Sequence, residues 1–570
     1  MPRAATLAMC AAATLLAGCL PPQGAGLRNT AVSATADSAI IPIAMPVIQR
    51  PRDETGAWWF RSGAATAHAR GSDRARARNL ILFVGDGMSL TTVAAARILE
   101  GQGRGEPGEE NALSFERFDH TALSKTYNTD SQTPDSAGTM TAMITGSKTR
   151  RGMLSIDPGT PRGACSADRE AVLPTLLELA EGAGLATGVV TTTRLTHATP
   201  GATYGHVSER NWEADANLSG AARASGCRDL ARQFVEFAAG DGIEVALGGG
   251  RSKFLPREAT DPEYPGQHGE RQDGRDLIAE WQARHPDGHF VRDARGLQAL
   301  DLATTRRVFG LFEPSHMRYE HDRNADPAGE PGLAQMTRAA ITVLARDPDG
   351  FVLVVEGGRI DHAHHAGNAF RALTETIAMA DAVRVADELT RDDDTLILVT
   401  ADHSHTLSFV GYPMRGNAIL GKVVGAAGED KRTGTLALDR LGLPYTTLNY
   451  SNGPGYTGAS DSQPAGPKRF DHYFRQSTPA TGRPDLTHVD TTAPDYLQES
   501  LYPLASESHG GEDVGIWAHG AGADAVRGTV EQNVIFHFLL QASPRLRAYA
   551  CKHGACEQGV PVLPPRRARP

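Results

Sequence analysis

A chain of 570 residues, 40% hydrophobic and 22% charged, can bury a large core as one domain with an insertion or as two domains. The formal charge of −10 and a pI near 6.1, without a long basic block, argue against nucleic acid as a partner. An anionic substrate would need positive charge gathered locally.

In chain order, Met1-Pro2-Arg3 and the small apolar run to Leu16-Ala17-Gly18-Cys19 read as a signal peptide over 1–18, too short and alanine-rich to span a bilayer. Leu16-Ala17-Gly18-Cys19 resembles a bacterial lipoprotein box, in which Cys19 becomes the lipidated first residue; plain signal cleavage with Cys19 incidental is the alternative. Residues 19–52, rich in Pro, Gly, Ala, Ser and Thr without periodicity, read as a tether. The expected location is the periplasm or cell surface, with the chain anchored to a membrane through Cys19. An exported chain meets oxidising conditions, and four cysteines remain beyond the leader: Cys165, Cys227, Cys551 and Cys556. They allow three pairings, of which Cys165 with Cys227 and Cys551 with Cys556 needs no long-range bridge. A polar tail is expected over 557–570.

The apolar runs then alternate with helical patterns. Strands are expected at Asn79–Asp86, Ala186–Thr192, Gly242–Leu247, Phe351–Val355 and Thr395–Ala401. Helices are expected at Thr91–Glu100, Leu173–Gly182, Gly226–Ala239, Leu333–Arg346 and Ala369–Leu389. This is an α/β chain with a central, mostly parallel sheet covered by helices on both faces, whose ligands gather at the C-terminal strand ends. Three strands deliver acids there: Asp86, Glu356 and Asp402, the last followed by His403. After Glu356 come two glycines and Asp361 with His365, four residues apart, which puts a carboxylate and an imidazole on one helical face, a donor pair suited to zinc. Thr133-Pro134-Asp135-Ser136 introduces another helix, where Ser136 is either a nucleophile acidified by the helix N-terminus or part of an ordinary cap. Arg210 is a surface cation or the fork for an oxyanion.

These segments resemble the alkaline phosphatase family, nearer its animal-type branch than its enteric bacterial one, from about Trp58 to Cys556. The resemblance rests on Val84-Gly85-Asp86-Gly87-Met88, Pro134-Asp135-Ser136, Thr191-Thr192-Thr193-Arg194, His197-Ala198-Thr199-Pro200, Arg210-Asn211-Trp212 and Leu311-Phe312-Glu313-Pro314. It continues through Glu356 to His365, Thr400-Ala401-Asp402-His403-Ser404-His405, Asn452-Gly453-Pro454-Gly455-Tyr456 and His509-Gly510-Gly511-Glu512-Asp513-Val514. It implies Asp361, His365 and His509 on one zinc and Asp86, Ser136, Asp402 and His403 on another. It further implies a magnesium held by Asp86, Thr199 and Glu356. Spacing does not choose among His362, His364 and His365; the resemblance selects His365. Ser136 would be the nucleophile for phosphate monoesters, Arg210 the phosphoryl fork, and His197 and His362 neighbours of the metals. Where the enteric branch has an aspartate, His197 offers no hard oxygen, so magnesium is expected to bind weakly. Ser89 replaces a usual glycine, and Ala137-Gly138 inverts the commoner order. The calcium site of animal-type members is matched in part, by Phe312 through its carbonyl, Glu313 and Asp326, while Ser225 stands where an acid is expected.

The expected layout is a core over 53–406, an insertion over 407–505 resembling the crown that covers the dimer in animal-type members, and a return of the core over 506–556. A homodimer is therefore expected. A sulfatase or phosphodiesterase on the same metal scaffold is one alternative, though Cys165-Ser166-Ala167-Asp168 lacks the sulfatase Pro and Arg. A phosphate- or zinc-binding lipoprotein without turnover is the other.

Overall fold

The computed structural model describes residues 54–165, 171–425, 434–439, 441–457 and 483–563. The leader, Cys19 and the tether lie outside the described residues. The main sheet has ten strands: β1 Asn79–Gly85, β2 His120–Lys125, β3 Ala186–Arg194, β4 Val245–Gly249, β5 Gly288–Val291, β6 Arg307–Leu311, β7 Phe351–Gly357, β8 Thr395–Ala401, β14 Val514–Gly520 and β15 Gly528–Glu531. Their spatial order is β15-β2-β14-β8-β1-β7-β3-β4-β6-β5. From β8 to β5 every neighbouring pair is parallel, and β14 runs antiparallel to both β8 and β2.

The continuous apolar runs reflect burial on both faces. Leu80, Leu82, Val352, Val354, Leu396 and Leu398 enter one core, while Ile81, Phe83, Leu353, Val355, Ile397 and Val399 enter the other. The helix Ala369–Leu389 has the expected bounds. That expected over Gly226–Ala239 shortens to Leu230–Val235, because Asp229 caps its start and Gly226 takes φ 75°.

Among the described residues of the insertion, β10 Leu407–Phe409, β11 Leu448–Gly453 and β12 Ser500–Pro503 form a small sheet. The chain returns through β13 His509–Gly510, which pairs antiparallel with β9 Ser404–His405 directly after β8. This pairing brings His509 back to the sheet edge. Cys165 is bonded to Cys227 and Cys551 to Cys556. The segment read as a polar tail begins instead as a hairpin, β16 Cys556–Glu557 with β17 Val560–Pro561, and Val560 is buried.

Candidate metal centre

Strands β8, β1, β7 and β3 are neighbours, so their C-terminal ends bring Asp402-His403, Asp86, Glu356 and the Arg194–Thr199 segment to one edge. Gly87 makes the turn after Asp86 at φ 72°, and a Cβ there would lie 2.4 Å from His405. Its N–H donates to Asp402 Oδ1 at 2.9 Å.

Ser136 is the first residue of the helix Ser136–Thr145, and Asp135 is its cap, accepting from Gly138 N. The cap role therefore falls to Asp135 and leaves the Ser136 hydroxyl for other work. Ser136 Oγ lies 3.2 Å from Asp86 Oδ1 and 3.2 Å from His403 Nε2. His403 Nε2 is also 3.3 Å from Asp86 Oδ1 and 3.3 Å from Asp402 Oδ2. Hydroxyl, two carboxylates and imidazole thus meet at one point, a donor set that suits zinc. The inverted Ala137-Gly138 order has a local reason: a Cβ on Gly138 would stand 2.2 Å from Asn128 Nδ2. Ser89, likewise a departure, caps the next helix by accepting from Thr92 N.

A second cluster joins Asp361, His365, His405 and His509. His509 donates Nδ1–H to Pro134 O at 2.8 Å, and His365 Nδ1 donates to Glu507 O. Both Nε2 atoms are then left with lone pairs, yet they face each other at 3.1 Å, with Asp361 Oδ1 3.3 Å and 3.4 Å away. Lone pairs so placed fit a cation between them. Burial alone would raise Asp361, but the neighbouring His365 and a hydrogen bond from His405 hold it well below the usual carboxylate range. Burial would lower His405, but Glu507 and Asp361 push it up to about 10.

The third cluster is rich in oxygen. Asp86 Oδ2, Thr199 Oγ1 and Glu356 Oε1 are buried without a well-formed hydrogen bond, although the Thr199 hydroxyl lies against Glu356. Glu356 Oε2 is held by Thr191 and Thr193. Burial pushes the Glu356 carboxyl up to about 7. Burial and then the charges of Asp402, Asp361 and Glu356 push Asp86 well up, and burial raises Asp402. Three hard oxygens left unpartnered in a buried site fit magnesium.

Arg210 Nη1 is bound to Asp135 Oδ2 at 3.2 Å, and its Nη2 donates to His197 Nε2 at 3.1 Å. His197 lies within ligand reach of Asp86 and Glu356, as its place before Thr199 suggests. It also joins His362 and His316, the latter from the loop after β6. Sequence reasoning passed over His316, His405 and Glu507. Glu507 and His509, like His403 and His405, are two residues apart in extended chain and so share a side, the signal that could have found them.

Ser225 stands where the resemblance expects an acid, and another acid lies beside Asp326. Ser225 ends the helix Gly220–Ala224, whereas Glu263 lies against Asp326, whose Oδ1 shares the Tyr264 hydroxyl with Glu313, each at 3.0 Å. Burial, then Asp326, pushes Glu313 up to about 8.

Arranged at the carboxyl edge of an α/β sheet, where such folds bind their ligands, these clusters mark a candidate metal-binding α/β protein. Comparison with known proteins is more specific. Residues 77–544 match the family described as alkaline phosphatase. Over 473 residues the chain is 41% identical to alkaline phosphatase of Gadus morhua, covering 82% of this chain and 92% of that one. It is 39% identical to the tissue-nonspecific isozyme of Homo sapiens, covering 82% and 84%. Among solved structures, that of Thermus thermophilus alkaline phosphatase aligns at TM-score 0.56 and 24% identity, over 87% of this chain and 96% of that one. Alkaline phosphatase from the Antarctic bacterium TAB5 aligns at TM-score 0.52 and 19% identity, over 82% and 98%. The chain belongs to the alkaline phosphatase family, whose members are hydrolases of phosphate monoesters.

Proposed function

We propose that this chain hydrolyses phosphate monoesters through a phosphoserine at Ser136, with two zinc ions and one magnesium. Asp361, His365 and His509 would hold one zinc, Asp86, Ser136, Asp402 and His403 the other, and Asp86, Thr199 and Glu356 the magnesium. When bound, these ions would lower the pKa of the serine hydroxyl, take up charge on the leaving oxygen and order Asp86. Ser136 Oγ attacks phosphorus as the ester P–O bond breaks, and water later attacks the phosphoserine, releasing phosphate and restoring the hydroxyl. The N-terminus of the helix stabilises the developing alkoxide. Asp135 ties Arg210 to the same helix, so the guanidinium that forks onto phosphoryl oxygens moves with the nucleophile. The observation that carries this reading is Ser136 Oγ, freed from capping, at 3.2 Å from both Asp86 Oδ1 and His403 Nε2.

The test is turnover of a chromogenic phosphomonoester beside a phosphodiester and a sulfate ester. Preference for the monoester supports the proposal. Preference for either other ester assigns the scaffold to a sister enzyme, and binding without turnover of any assigns it to a binding protein.

Glu263, Glu313 and Asp326, with the Phe312 carbonyl, make up the set for a fourth cation, calcium, which would relieve the crowding that raises Glu313. A calcium-dependent rise in melting temperature, lost in Glu263→Gln, is the expected sign. The chain is exported, anchored through lipidated Cys19 and dimeric in this reading; no helix among the described residues is long and apolar enough to cross a membrane. Cys19→Ser should leave the membrane fraction, or accumulate as precursor, and light scattering should give twice the chain mass.

A further inference from the structure

Beside the candidate metal centre, three histidines meet with three arginines. His197 precedes Thr199, His316 comes from the loop after β6, and His362 follows Asp361. The His316 and His362 rings are 4.3 Å apart between centroids, and His197 lies 5.2 Å and 5.4 Å from them. Three imidazoles so close suggest a metal, but their hydrogen bonds point the other way. A guanidinium only donates, so each ring nitrogen facing one must accept. Arg210 Nη2 donates to His197 Nε2 at 3.1 Å, and Arg359 Nη1 to His362 Nδ1 at 3.1 Å. Arg194 approaches His316 twice, through its backbone N–H at Nδ1 and its Nη1 at Nε2. A neutral imidazole has one lone pair, so those of His197 and His362 are in use and their other nitrogens carry N–H, while both His316 nitrogens face donors of Arg194 and leave that ring no N–H to offer. Three guanidinium groups would also repel a cation.

The charge balance is uneven. Arg194 is paired with Glu213 at 2.6 Å, and Arg210 with Asp135 at 3.2 Å. Arg359 makes no ion pair among the described residues; its guanidinium stacks on Tyr319 at 3.8 Å, and its Nε is buried without a hydrogen-bond partner. In a chain of net charge −10, a half-buried patch of donors with one arginine outside any ion pair among the described residues is a place for an anion. One imidazole, His197, separates it from Arg210.

We propose that Arg359 and His362 form a subsite for a second anionic group, a carboxylate or a second phosphate, carried on the leaving group of the phosphomonoester. The inference rests on the phosphatase reading and deepens it by naming a substrate class.

The experiment compares kcat/KM for two matched pairs, 3-phosphoglycerate with glycerol 3-phosphate and fructose 1,6-bisphosphate with fructose 6-phosphate, in metal-replete full-length enzyme. The wild type should favour the doubly anionic member of at least one pair. Arg359→Gln and His362→Asn should each reduce that ratio about tenfold, the scale of one hydrogen bond to a charged group, chiefly through KM. The pair that responds tells carboxylate from phosphate. A ratio near one in the wild type, or a ratio that survives both variants, overturns the subsite while leaving the phosphatase reading intact. Failure to turn over any of the four esters removes the reading beneath it. Metal analysis provides an independent arm: one equivalent of zinc lost on His316→Asn, with the others retained, would make the patch a cation site and overturn the proposal.

Discussion

The two ends of the candidate metal centre hold their charges in opposite ways. At the histidine end, Asp361 is depressed and His405 raised, each by the other and by Glu507 or the neighbouring rings, so opposite charges already compensate. At the carboxylate end, Asp86, Glu356 and Asp402 are all raised, because they are buried and face one another, and among the described residues none is ion-paired with an arginine or lysine. A folded chain can therefore preorganise the first end unaided, whereas the second is under strain until positive charge arrives from outside.

The sharpest way to break this contrast is at Ser136, which faces the carboxylate end. Ser136→Ala should lower kcat by at least about a thousandfold, as loss of a nucleophile does elsewhere. It should also abolish acid-stable labelling by a radioactive phosphomonoester while metal analysis still finds zinc. Label surviving in the variant would remove Ser136 from the role. Metal removal comes next: chelation should abolish activity, and zinc with magnesium should restore more of it than either alone. Full recovery with magnesium alone would mean that the imidazoles of the first end are not ligands.

A thermal melt against pH separates the two ends directly. Glu356 at about 7 lies above its unfolded value, so the metal-free folded state binds the extra proton. That contribution is complete below about 4.5 and is lost as pH rises through 7, on the order of 3 kcal/mol. His405, raised to about 10, contributes below about 6.5 and loses its share only as pH rises through 10. Metal-free protein should thus lose stability between pH 5 and 7, and metal-loaded protein should not. Parallel curves would show that the carboxylate end is not strained. The smallest effect is at His197, whose imidazole faces Asp86 and Glu356. His197→Asp should lower the magnesium midpoint for activation of zinc-loaded enzyme severalfold, and an unchanged midpoint would show that this side chain does not tune the site.

The strands and their terminal acids were legible because double burial writes continuous apolar runs, and Asp86, Glu356 and Asp402 mark where those runs stop. Resemblance, rather than spacing, supplied His509 and Thr199. What stayed hidden has no period: His316 and Glu263 sit in irregular segments whose partners are distant in sequence, with Glu263 set against Asp326 only by the fold.

The pairing of β9 with β13 sets an order in time. A ribosome makes Asp86, Ser136 and the Asp361–His365 helix early, then the whole insertion, and only afterwards His509, which closes the first of the proposed zinc sets. A nascent or truncated chain ending before residue 509 can gather acids but cannot complete that set. Capture of a metal there would therefore be a property of the finished polypeptide, with the insertion as a delay between the first proposed ligand and the last.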